Sequence, residues 1–255
     1  MTALCAGSAT IAGGYALLRM VWHPDHAGPW GRAAALMLIV LGWRVWIAFR
    51  KYPGGLPGTR FPGLANRFTF LRGLMICALA GFLGVQPPEG PLAWLPLSLY
   101  GSVLILDVFD GFLARLRNET SLFGAFLDRD MDALATLTAI LLAVHYGRLP
   151  PWFVVAGIAY YVFILGQWWR QKRGRPLNPL PESKGRKYAA ALQSAFIWLS
   201  LFPGGTIGES DIPAALVMIP VLAGFVRDWR AVSASSGPGL PSGPFPGAWT
   251  RKRPD

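Results

Sequence analysis

Apolar runs long enough to cross a bilayer dominate this sequence, and few folds are open to a chain built from them. Ala33 to Phe49, Trp152 to Trp169 and Tyr188 to Phe202 are examples, each near the ~20 residues that span a hydrocarbon core. Only 15% of the residues are charged, against roughly 25% in a soluble domain, which excludes ordinary cytosolic globularity. Hydropathy predicts helices near 3–22, 33–49, 68–85, 92–114, 122–145, 152–170, 186–202 and 212–228. Eight spans of ~20 residues use most of the 255 available, so no extramembrane enzyme domain fits. The expected fold is an all-α polytopic membrane protein.

The first run, Ala3 to Met20, lacks the positively charged segment that precedes the apolar part of a signal peptide. It is expected to be a retained helix. Cys5 and Cys77 both lie in apolar runs, and two separated thiols supply neither a disulfide framework nor a cysteine metal site. The last stretch, 233–255, is rich in Gly, Pro and Ser and ends in Arg251, Lys252 and Arg253, a composition expected to stay disordered.

Charge fixes an expected orientation. With the N-terminus cytoplasmic, the inner segments 50–67, 115–121, 170–187 and 227–255 hold eighteen Lys and Arg, while the outer loops hold only Arg32 and Arg148. This positive-inside bias predicts that both termini are cytoplasmic. The net charge of +11 then reflects topology and anionic lipid, and predicts no nucleic-acid partner. Arg19 and Arg44 lie toward span ends and are expected to snorkel to the interface.

Asp107, Asp110, Asp128, Asp130 and Asp132 fall inside predicted spans. A carboxylate near the bilayer core costs about 2.5 to 3.5 kcal/mol, so something must neutralise them. Asp107 and Asp110 are three residues apart and Asp128 and Asp132 four apart, so each pair projects from one helix face. Two facing helices then present four hard oxygen ligands, a set that suits a two-metal site of Mg²⁺ or Mn²⁺. Asp130 points roughly 200° away from Asp128, at 100° per residue, and is expected to pair with Arg129 or another cation. Gly111, Ala114 and Gly124 lie on or beside the carboxylate faces. Their small side chains let helices approach closely and leave room for a flat ligand.

The run Asp107-Val-Phe-Asp110-Gly111-Phe-Leu-Ala114-Arg115, followed after eight residues by Gly124-Ala-Phe-Leu-Asp128-Arg-Asp-Met-Asp132, resembles the signature of the CDP-alcohol phosphatidyltransferases. That signature reads D-x-x-D-G-x-x-A-R-x8-G-x3-D-x3-D, and every fixed position matches. Asn66-Arg-Phe-Thr69-Phe-Leu-Arg72 resembles the family's first core helix, with Ala65 in place of a proline. Ser183-Lys184-Gly185-Arg186-Lys187 resembles the basic stretch opening its fifth.

The resemblance implies a six-helix core over 60–230, an N-terminal pair of helices in 1–52 and a tail over 233–255. It further implies a homodimer in the inner membrane of a prokaryote. The implied reaction is divalent-metal-dependent transfer of a phosphatidyl group from a CDP-activated lipid, CDP-diacylglycerol above all, to an alcohol, with release of CMP. Asp107, Asp110, Asp128 and Asp132 hold the metals, and Asp132 is the base that takes the hydroxyl proton. Asn66, Thr69, Gly111, Ala114, Arg115 and Gly124 surround the nucleotide. Arg72, Lys184, Arg186 and Lys187 bind phosphate or the acceptor. Guanidinium forks favour a phosphorylated acceptor such as glycerol phosphate or inositol phosphate over choline or ethanolamine. The charge-derived topology puts all these residues near one membrane face. Two competing readings are a cation or proton transporter, whose acids would be spread across membrane depth, and a non-catalytic scaffold, which would have lost a signature aspartate.

Overall fold

A computed structural model describes residues 12, 13, 16, 24–51, 64–116, 122–178, 180, 183–205 and 211–234. Side chains at 24, 51, 64–67, 110–116, 122 and 184 lie outside this description. Of the run near 3–22 only Ala12, Gly13 and Ala16 are described, all helical, and the tail from 235 onward lies outside the described residues.

Among the described residues every regular element is helical, as lipid requires of segments that must satisfy their own backbone. Seven α-helices follow in order: α1 Pro24–Lys51, α2 Leu64–Gly81, α3 Leu95–Leu116, α4 Leu122–His145, α5 Val154–Lys172, α6 Lys184–Ser200 and α7 Asp211–Ser233. Short 3-10 turns cover Phe82–Gly84, Gly90–Trp94 and Pro151–Phe153. The stretches Asp25–Arg50, Gly90–Phe109, Pro151–Lys172 and Asp211–Ser233 are long and apolar enough to cross a membrane. The chain is an all-α polytopic membrane protein.

Helix α1 begins at Pro24, nine residues before the span expected at 33. Its extension comes from packing that hydropathy does not register. Asp25 occupies the first turn, where an acid complements the helix dipole. Trp30 is buried and meets Phe82 edge to face, with ring centroids 6.5 Å apart. The indole also covers Gly81, where an added Cβ would come within 2.4 Å of its nitrogen. The same device joins α3 to α6: a Cβ on Gly101 would lie 2.7 Å from Trp198 Nε1, which donates to the Leu97 carbonyl at 3.1 Å.

Helix α2 packs chiefly on α1 and α3 and also on α4, and α6 packs on α7. Helix α4 touches α1, α2, α3, α5 and α6 and so lies at the centre. One apolar cluster runs through the bundle and includes Leu41, Ile76, Leu79, Val103, Ala139, Ile140, Leu142 and Ile197. Outward faces carry Leu36, Ile39, Trp43, Ile158, Val162, Leu216 and Ile219, as suits a lipid-facing surface. Arg50 stacks on Trp46 at 4.1 Å, Lys172 on Trp168 at 4.3 Å and Arg173 on Trp169 at 4.6 Å. These cation–aromatic pairs stand at the C-terminal ends of α1 and α5, where an interfacial belt is expected.

Candidate active site

Arg72 stands on α2 about two turns from its start, and its side chain is fully enclosed, with 0% exposure. An arginine there survives only with anions around it. Asp107, just past the middle of α3, accepts from Arg72 Nη1. Asp128, on α4, accepts from Arg72 Nη2 at 2.8 Å through its carboxylate and at 3.1 Å through its backbone carbonyl. Asp132, one turn further along α4, lies 3.2 Å from the same nitrogen. Three helices thus converge on one guanidinium, and the i, i+4 spacing of Asp128 and Asp132 puts both on the face that meets it.

Oxygens of Asp107, Asp128 and Asp132 all lie within 4.8 Å of one another. Their side chains keep 37%, 45% and 49% exposure, so the carboxylates are open on the side away from Arg72. Three carboxylates against one guanidinium leave two negative charges, which one divalent cation balances. The donors are hard oxygens, and modest side-chain adjustment brings them to the ~2.1 Å ligand distance of Mg²⁺. The residues present therefore fit a Mg²⁺- or Mn²⁺-type ion. Asp110 follows Asp107 by one turn in α3, but its side chain lies outside the described residues.

Asp130 departs from this face, as its angular position predicts. It is 1% exposed and forms a two-pronged ion pair with Arg44 of α1. Arg44 Nε donates to Oδ2 at 2.6 Å and Nη2 donates to Oδ1. Arg44 therefore does not snorkel, contrary to expectation. A buried carboxylate eighty-six residues away holds it inside the bundle.

A second charged group forms between α6 and α7. Ser183 caps α6 by accepting from the Arg186 backbone N–H at 3.4 Å. Arg186 Nη1 donates to Asp228 at 2.7 Å, and Arg227 Nη2 donates to the other oxygen of Asp228 at 3.3 Å and to Ser183 Oγ at 2.9 Å. A cleft of about 460 Å³ opens beside them, lined also by Gln193, Pro220, Gly224 and Phe225.

Of the residues singled out in the sequence, the structure brings Arg72, Asp107, Asp128 and Asp132 together. Thr69 and Gly124 are half-buried one turn before Arg72 and Asp128 respectively, and Lys187 is exposed. Side chains of Asn66, Gly111, Ala114, Arg115 and Lys184 lie outside the described residues. Arg186 sits in the second group. Sequence reasoning missed Asp228 and Arg227, whose only signal is an acid set among basic residues at the end of the last span.

Comparison with known proteins agrees with this geometry. The family model described as CDP-alcohol phosphatidyltransferase matches residues 63–226. A CDP-diacylglycerol–glycerol-3-phosphate 3-phosphatidyltransferase of Pseudomonas fluorescens is 33% identical over 114 residues, 43% of this chain and 58% of that protein. Proteins of the same name from Cereibacter sphaeroides and Salmonella choleraesuis are 36% identical over 62 residues and 42% over 60. Those matches cover 24% and 22% of this chain, and 28% and 33% of the two relatives. The chain thus spans between about a quarter and three fifths of the length of these relatives. No solved structure gives a significant match. With the family match running from the start of α2 into α7 and three of the four signature carboxylates gathered on one guanidinium, the chain belongs to the CDP-alcohol phosphatidyltransferase family.

Proposed function

We propose that this protein transfers a phosphatidyl group from CDP-diacylglycerol to an alcohol, releasing CMP, as a step of phospholipid biosynthesis. The observation that carries the reading is the approach of Asp107, Asp128 and Asp132 to within 4.8 Å of one another at an open face, in a chain that retains all four signature aspartates. Asp107, Asp110, Asp128 and Asp132 would hold the divalent ions, Mg²⁺ or Mn²⁺, which when bound neutralise the pyrophosphate and ease departure of CMP. Arg72 fixes three of these carboxylates in position from their buried side.

Asp132 is the base. It accepts the proton of the acceptor hydroxyl as that oxygen attacks the lipid-proximal phosphorus and the bond to the CMP oxygen breaks. Asn66, Thr69, Gly111, Ala114, Arg115 and Gly124 surround the nucleotide. The acceptor is a phosphorylated polyol of the glycerol 3-phosphate class. The names of the relatives support this choice, as do two guanidinium groups, Arg186 and Arg227, held side by side by Asp228 at the mouth of a cleft. Lys184 and Lys187 add positive charge at that end of α6. Both termini are cytoplasmic, which places the site where a soluble nucleotide and a lipid meet, and the working unit is a homodimer.

The test is CMP release by purified protein given CDP-diacylglycerol, Mg²⁺ or Mn²⁺, and glycerol 3-phosphate, inositol phosphate, glycerol or serine in turn. Metal-dependent release with a phosphorylated acceptor is expected, and chelation with EDTA should abolish it. Undiminished release in EDTA would sink the mechanism. Arg186→Ala should raise the KM of the acceptor by roughly tenfold or more, the loss of one charge-assisted contact, and leave that of CDP-diacylglycerol nearly unchanged.

A further inference from the structure

We propose that Arg44, which lies outside the family-matched stretch 63–226, is a positioning residue for the carboxylate site and acts through Asp130; the proposal rests on the reading of that site given above. Asp130 stands between Asp128 and Asp132 on α4, and its face is turned roughly 200° from theirs. Holding Asp130 therefore sets where the other two carboxylates point. The hold is directional: two guanidinium nitrogens meet two carboxylate oxygens, so neither helix can rotate without breaking a contact.

Two more contacts extend the grip. Phe49 packs on Phe123 with centroids 4.7 Å apart. The pairing of 49 with 123 and 44 with 130 shows that α1 runs antiparallel to the first turns of α4. Leu41 and Met131 both reach Gly73, next to Arg72, lying 3.8 and 3.5 Å from where its Cβ would stand. Helix α1 thus braces α4 and α2 on the side opposite the open face.

A purely apolar contact would join these helices without the desolvation that a buried ion pair incurs. What the ion pair adds is rotational register. A turn of α4 by about 20° moves a group 5 to 6 Å from its axis by roughly 2 Å. Displacement of that size separates Asp128 and Asp132 from Arg72 and from the third carboxylate. Misplacement of about 1 Å is enough to lower turnover by roughly a hundredfold.

The experiment uses the full chain in nanodiscs. Arg44→Met/Asp130→Leu removes both charges and leaves no unpaired acid, and Arg44→Lys keeps the charge but not the fork. The double variant should fold with a wild-type thermal midpoint yet lose about tenfold to a hundredfold in kcat. Its KM for CDP-diacylglycerol should stay within about twofold, because ground-state lipid contacts are untouched. Mn²⁺ binding, read by electron paramagnetic resonance without any substrate, should weaken by about tenfold, and Arg44→Lys should recover part of both losses. Wild-type kcat and Mn²⁺ affinity in the double variant would overturn the proposal and leave the pair a packing contact. If the double variant does not fold, Arg44→Lys decides, and wild-type values there overturn it equally. A wild-type protein that releases no CMP would sink the activity reading alone, because the Mn²⁺ comparison still decides the positioning.

Discussion

The carboxylates of α3 and α4 do different work although they are chemically alike. Asp128 and Asp132 face Arg72 and the open side, and Asp130 faces α1. Asp132→Asn should therefore lower kcat by about 10² to 10⁴-fold, the contribution of a general base, with CDP-diacylglycerol and Mn²⁺ still bound. A kcat within tenfold of wild type would remove Asp132 from the role of base. Arg72→Gln separates charge from geometry. It deletes the cation that three carboxylates share, so Mn²⁺ affinity should fall by about tenfold together with CMP release as the ligands lose their common anchor, and tighter Mn²⁺ binding would show that Arg72 competes with the ion more than it holds the ligands in place. The spacing of the acids made the gathering of Asp107, Asp128 and Asp132 legible in the sequence, since a four-residue interval fixes a helix face. Arg72 was legible only as a charge too deep to be idle. That three carboxylates surround it depends on α2 packing against both α3 and α4, which no local pattern encodes. Asp130 was recognised as facing away, but Arg44 was not its foreseen partner, because the pairing spans eighty-six residues.

At the scale of elements, the bundle is joined where a tryptophan lies across a glycine. Gly101→Ala puts a methyl group 2.7 Å from Trp198 Nε1, forcing α3 from α6 or turning the indole away from the Leu97 carbonyl. Overpacking of this kind costs about 1 to 3 kcal/mol. A lower thermal midpoint is expected with near-normal turnover per folded molecule, since the acids lie on another part of α3. An unchanged midpoint would show that Trp198 swings aside without penalty. Hydropathy located most helices because their apolar lengths match the bilayer. It misplaced the start of α1, where Asp25, Trp30 and the contact with Phe82 continue the helix beyond its apolar run. The α6–α7 group was half legible: the basic stretch around Arg186 stood out, while Asp228 was concealed at the end of a span.

For the whole molecule, orientation decides whether the site can meet its substrates. A reporter joined after Asp255 should read as cytoplasmic and one placed in the 203–211 loop as external, on the strength of eighteen Lys and Arg against two. The reverse pattern would overturn the topology. Along α2, Ile76 and Leu79 follow Arg72; along α3, Val103 precedes Asp107; along α4, Ala139, Ile140 and Leu142 follow Asp132. At 1.5 Å per residue these buried side chains begin about 6 Å beyond the charged group and continue for roughly another turn or two, all on the side away from the open carboxylates. They form a dry layer across the bundle, with Ile76, Leu79, Ile140 and Leu142 at 0% exposure. Among the described residues, this apolar layer separates the charged pocket from the far ends of α2 and α4 and from the start of α3. A site closed off on that side would exchange ions and protons with one compartment alone, so a membrane holding this protein should keep its electrical insulation.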